Sequence, residues 1–221
     1  MKLCKKSSVW CMNEYARFCL ISLAILAVTV ILVVLSTHFL DREIALYVYQ
    51  NKINAYKVWP YFSGIADLLG WTLPLFFLVY IAMKGFNIDS YCVKTLWLMG
   101  ISLMITAFFI VKLKFIFSRY WPLVWKGNLA FIPDNAYGFN FFQGSSLNQS
   151  FPSGHTGVVF AAMSVAWMML PKLRWLWTIL SLLVVFGLLG QNHHFFSDII
   201  AGASLGSLIG MLTSLCFNRL S

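Results

Sequence analysis

His194 and Asp198 are spaced i, i+4, which on a helix puts an imidazole and a carboxylate on one face about one turn apart. A carboxylate so placed accepts a hydrogen bond from one ring nitrogen and fixes the tautomer. The other nitrogen is left free to act as nucleophile or base. The pair equally suits an ordinary polar helix start, with Asp198 complementing the helix dipole. Pro152-Ser153-Gly154-His155 reads as a loop entering a helix. Ser153 is its candidate N-cap, and the unpaired N–H groups from Gly154 onward make a terminus that accepts phosphate. His155 would stand beside that anion and protonate a leaving oxygen. Simple capping is the competing account. Lys112, Lys114 and Arg119 form a third group. Lys112 and Arg119 lie nearly two helical turns apart and point the same way on a continuous helix. Arginine matches phosphate bidentately, whereas Lys114 and Lys126 fit cations that snorkel at a membrane surface. Charges cost roughly 2.5–3.5 kcal/mol each at the centre of a membrane helix, so three such groups at one depth favour a site over three coincidences.

The elements that must position these residues are membrane helices. The chain has 221 residues, 60% hydrophobic and 10% charged, with a mean hydropathy of +0.79. A soluble domain is about 45–50% apolar and about 25% charged, so a cytosolic globule, a disordered chain and a coiled coil are excluded. Six runs approach the roughly 20 residues that cross a bilayer: 18–40, 68–83 (interrupted by Pro74), 95–111, 156–171, 175–191 and 199–218. The prediction is an all-α, polytopic six-helix bundle with an interfacial helical or loop segment, forming a single membrane domain over residues 1–221. The first run exceeds a signal peptide's apolar region and is followed by no small-x-small cleavage site, which predicts a retained helix.

The net charge of +9 is spread singly between uncharged runs, unlike the clustered basic face of a nucleic-acid binder. Nine Lys and Arg fall on one side of the predicted spans and seven on the other. Setting aside Lys112, Lys114 and Arg119 leaves nine against four. That bias predicts cytoplasmic termini and an external site. No cysteine lies in the external loops, and no CxxC pair or Cys/His metal spacing occurs, so neither a disulfide nor a structural zinc is expected. Nor does any carboxylate cluster offer a place for Mg²⁺. The external segments 41–67 and 111–155 are rich in aromatics, as suits headgroup depth. Gly202, Gly206 and Gly210 form a small-residue ridge for packing within the bundle. It does not indicate dimerisation, and the oligomeric state is left open. The spans lack the midplane ionisable groups that a transporter would use.

With these residues in place, the chain resembles the membrane branch of the type 2 phosphatidic acid phosphatase superfamily, over most of residues 65–217. That family carries Lys-x6-Arg-Pro, Pro-Ser-Gly-His and Ser-Arg-x5-His-x3-Asp. The second block is complete at Pro152 to His155, and His194 to Asp198 matches the end of the third. Lys112 with Arg119 matches the spacing of the first, while Lys114 with Trp121-Pro122 is the alternative register. The resemblance implies that His194 attacks phosphorus to form a phosphohistidine, oriented by Asp198. It implies that His155 protonates the leaving group and then activates water. Lys112, Arg119, Lys114 and the Ser153-Gly154 backbone would hold the phosphoryl oxygens, with no metal or other cofactor. The third-block arginine is replaced by Leu188, with Gln191 or Asn192 as candidates to donate hydrogen bonds and Lys114 to supply charge in its place. The stretch Tyr137 to Gly144, ahead of Ser150 to His155, is similar to bacterial lipid A phosphatases. The expected substrate is a phosphorylated membrane lipid at the periplasmic face of a bacterial inner membrane. Undecaprenyl diphosphate and phosphatidylglycerophosphate remain alternatives to lipid A. A catalytically silent lipid-binding or scaffold protein is the alternative of another class.

Overall fold

The structure is a computed structural model that describes residues 8–86, 88, 90–122, 138–144 and 149–220. Within these, seven α-helices run in the order α1 (Ser8–Phe39), α2 (Asp41–Gln50), α3 (Trp59–Gly85), α4 (Tyr91–Phe117), α5 (Gly154–Met169), α6 (Arg174–Gly190) and α7 (Phe196–Leu220). All six predicted spans are helices, and α2 is a short additional helix between α1 and α3. Five helices are long and apolar enough to cross a bilayer, and α5 is the shorter apolar one. Its length is tolerated because it is the central helix: Val159, Ala161, Ala162 and Val165 have no exposed surface. Outside it, α1 exposes Leu23 (62%) and Ile31 (58%), and α3 exposes Trp71 (84%). Such a belt fits a hydrocarbon solvent, and the protein is a multi-pass membrane protein.

Two predicted boundaries shift with consequences for the site. The segment 41–67 is not one external connection, because α2 begins at Asp41 and α3 already starts at Trp59. Pro60 sits in the first turn of α3, where no amide hydrogen bond is lost, and Pro74 leaves the helix assignment unbroken. The third span does not end at Val111 but continues to Phe117, closed by Ser118 in the left-handed region (φ 41°) with its N–H on Lys114 O at 2.9 Å.

The core joins α5 to its neighbours. Leu98, Met99 and Leu103 of α4 meet Ala162, Val165, Ala166 and Met169 of α5. A second cluster joins Ala66, Val159, Met163, Val184, Leu188 and Ile199. The glycine ridge of α7 lies directly against the α5 backbone: a Cβ on Gly206 would stand 2.1 Å from Gly157 O, and one on Gly202 2.4 Å from Ser153 O. Only a residue without Cβ permits this approach. Gly206→Ala is therefore expected to cost about 1–3 kcal/mol or more through overpacking, read as a lowered thermal midpoint in detergent. The same contact draws the first turn of α7 against that of α5, which sets Asp198 beside Ser153 (Ser153 N–H to Asp198 O, 3.0 Å).

Candidate active site

Both histidines of the sequence motifs, with Asp198, arrive at one end of the bundle. His194 precedes α7 in a turn where Asn192 takes a left-handed conformation (φ 57°), which asparagine tolerates. The His194 side chain has no exposed surface. Its Nδ1 lies 3.5 Å from Asp198 Oδ2 and 3.3 Å from Ser150 Oγ, and that hydroxyl donates to Asp198 Oδ2 at 2.6 Å. Nδ1 therefore carries the ring proton, relayed through Ser150 to the carboxylate, and Nε2 holds the lone pair. Among the described residues Nε2 has no hydrogen-bond partner. Burial pushes the His194 pKa from 6.5 down to about 3, against the pull of Asp198. The ring is uncharged at neutral pH.

His155 opens α5 with its Nε2 3.3 Å from Asp67 Oδ1 of α3. A groove of about 490 Å³ runs past this pair, bordered by Asp67, Lys114, Trp121, Gly154 and His155. His193 stands beside it, its ring centroid 5.6 Å from that of His155 and 5.2 Å from that of His194. Burial, followed by the charges of His155 and Lys114, pushes the His193 pKa down to about 4. His193 touches neither Asp67 nor Asp198 through any described ion pair.

Behind His194 lies a charge network out of reach of the groove. Asp198 Oδ1 takes Arg119 Nη1 at 2.7 Å, and Arg119 Nη2 reaches Asp41 Oδ2 at 2.8 Å. All three side chains have no exposed surface. Asp41 also accepts from Ser36 Oγ (2.7 Å), the Ser197 N–H (2.9 Å) and the Ser197 hydroxyl. The guanidinium lies between the rings of Phe195 and Phe139, at 4.1 and 5.0 Å.

A model of the PAP2 superfamily matches residues 95–221, more than half of the chain. The chain belongs to the PAP2 superfamily. A solved PAP2 structure agrees in fold: the crystal structure of a transmembrane PAP2-type phosphatidylglycerolphosphate phosphatase from Bacillus subtilis. It is 15% identical with a TM-score of 0.56, over 90% of this chain and 97% of that one. No curated protein matches the chain significantly in sequence. The protein is thus a PAP2 superfamily membrane phosphatase of all-α fold.

Within this PAP2 protein the cation assignments change. Lys112 does not face the site: it is exposed, with Nζ 5.6 Å from the Phe108 ring. Because α4 stays helical past Val111, positions two apart differ by about 200° around the axis, and it is Lys114 that borders the groove, Nζ 5.0 Å from the Trp121 ring. Arg119 is past the helix end and fully buried against Asp41 and Asp198, and it does not border the groove. Ser153 is likewise committed: its hydroxyl caps Thr156 N–H (3.4 Å) and its N–H goes to Asp198 O, leaving Gly154 at the groove. Leu188 packs in the apolar core, and the expected substitutes look elsewhere. Gln191 donates to Ser63 Oγ (2.6 Å) and Asn192 to Ala45 O (3.0 Å). Trp125, Lys126, Phe131 and Tyr137 lie outside the described residues.

Sequence reasoning missed Asp41 and Asp67. A signal existed for the second, since Asp67 is the one carboxylate of α3 and an acid inside an apolar span marks function by default. No local pattern ties Asp41 to residues 78 and 156 positions away. The absence of linear metal spacing also proved incomplete: one ligand atom from each of His155, His193 and His194 lies within 4.8 Å of the others.

Proposed function

We propose that this protein removes a phosphate from a membrane lipid through a phosphohistidine, without a metal, at the periplasmic face of a bacterial inner membrane. The observation that carries the reading is His194: Nδ1 is tied to Ser150 and Asp198, and a neutral Nε2 is left without a partner among the described residues. Nε2 attacks phosphorus as the P–O bond to the lipid breaks, and His155 gives its proton to the departing oxygen. Asp67 holds the His155 ring and faces its charge. His155 then takes a proton from water, whose oxygen attacks the phosphohistidine, releasing phosphate and restoring His194. Lys114 and the first turn of α5 at Gly154 supply positive potential to the phosphoryl oxygens. His194 is buried, so attack requires the Trp121 ring, 4.8 Å from it and bordering the groove, to shift.

Lipid A is the first substrate in this reading, on the likeness of residues 137–144. Undecaprenyl diphosphate and phosphatidylglycerophosphate are the alternatives. Residues 65–217 form its catalytic core, and both termini face the cytoplasm, in keeping with the nine-to-four excess of Lys and Arg. A second reading, a silent lipid-binding member of the family, draws on Trp121 and Leu188 standing where the family motifs have arginine. One assay separates them. Purified protein in detergent, given each of the three lipids, is expected to release inorganic phosphate from at least one, undiminished by EDTA. Lipid binding with no release from any of the three would establish the silent reading instead.

A further inference from the structure

His193 is unused by the transfer above, yet it clusters with His194 and with His155, which borders the groove. Three observations define what this cluster offers. One ligand atom from each of His155, His193 and His194 falls within 4.8 Å of the others. His194 Nε2 is buried without a partner among the described residues. Two of the rings are backed on one nitrogen by a carboxylate, His194 by Asp198 and His155 by Asp67. A carboxylate behind an imidazole is the arrangement that orients histidine toward a metal and makes its free nitrogen a better donor.

Three neutral nitrogen donors with a fourth position open to water select a borderline-soft divalent ion over Mg²⁺ or Ca²⁺, which require oxygen ligands. At metal–nitrogen distances of about 2.0–2.1 Å the donors close to about 3.4 Å of one another, a contraction within the reach of side-chain rotation. We propose that His155, His193 and His194 bind one divalent transition ion of the zinc class, and that the bound ion silences the enzyme. No bond of the lipid is broken. The ion takes the Nε2 electron pair that would attack phosphorus and the His155 nitrogen that would carry the proton. Lys114 sets the opposing term, since its positive charge weakens the site and keeps binding reversible. The inhibition rests on the phosphatase reading above, whereas the binding does not.

The test uses the full-length protein in detergent, stripped of metal. Co²⁺ is expected to give visible ligand-field bands of a tetrahedral nitrogen site. Zn²⁺, followed by competition with a chromophoric chelator, is expected to bind at one ion per chain. His193→Asn should weaken Zn²⁺ binding at least about tenfold, keep its phosphate release, and shift the inhibitory Zn²⁺ concentration upward by the same factor. Wild type without Co²⁺ bands or stoichiometric Zn²⁺ would overturn the proposal, as would His193→Asn binding and responding like wild type. Stoichiometric binding lost in His193→Asn, in a wild type that hydrolyses no lipid, would uphold the site and sink the phosphatase reading alone.

Discussion

His194→Ala is expected to abolish phosphate release, lowering kcat by at least about four orders of magnitude, with thermal unfolding and circular dichroism close to wild type. The size follows from its place in the proposed reaction, in which every later step needs the covalent bond formed by Nε2. The ring also supplies the acidic limb of the pH profile. Its free base persists far below the ordinary histidine value because burial holds its pKa at about 3 rather than 6.5. After allowance for the substrate's own ionisation, kcat/KM is therefore expected to stay high well below pH 6.5. Stability moves the other way. Between the two values the unfolded chain binds a proton that the folded chain refuses. Folding stability is thus fully present above about pH 6.5 and is progressively lost as pH falls toward 3. An acidic limb at 6.5, or turnover surviving in His194→Ala, would remove this histidine from the role of nucleophile.

Arg119→Met is expected to unfold or severely destabilise the protein, by about 3–5 kcal/mol. The substitution keeps an apolar stem between Phe195 and Phe139 but strands Asp41 and Asp198, both fully buried, without their shared cation. Arg119→Lys is expected to recover little, because one ammonium cannot bridge two carboxylates as the planar fork does. Adding Asp41→Asn to Arg119→Met removes one stranded charge and should restore part of the stability, a coupling that a double-mutant cycle reads directly. The alternative, in which Arg119 grips the substrate phosphate, predicts a raised KM with normal stability. Thermal unfolding of Arg119→Met, Arg119→Lys, Asp41→Asn and the double variant in detergent, beside KM, decides between them.

These two predictions divide along the line between local and distant information. The apolar runs declared six membrane helices because lipid forces each span to satisfy its own backbone. The i, i+4 spacing of His194 and Asp198, and the Pro-Ser-Gly-His helix start, marked the candidate nucleophile, its acid and the proton donor of the proposed reaction, because both patterns lie within one helical turn. The glycine ridge likewise announced a close helix contact, though not that α5 would be the partner.

What the linear order left open was settled by packing. Lys112 and Lys114 differ only in which way they face, and that depends on α4 running on to Phe117 rather than stopping at Val111. Arg119 reads as a phosphate ligand until Asp41 and Asp198, 78 and 79 positions away, converge on it from opposite sides in the chain. His155 gains Asp67, and the three histidines gain one another, by the same convergence of α3, α5 and the turn before α7. The sequence alone determined the solvent, the helices and the reactive groups, because these are properties of a few neighbouring residues. Only the tertiary structure decided which cation faces the groove and which is sealed behind the histidine. A buried charge takes its meaning from partners that the chain brings in from far away.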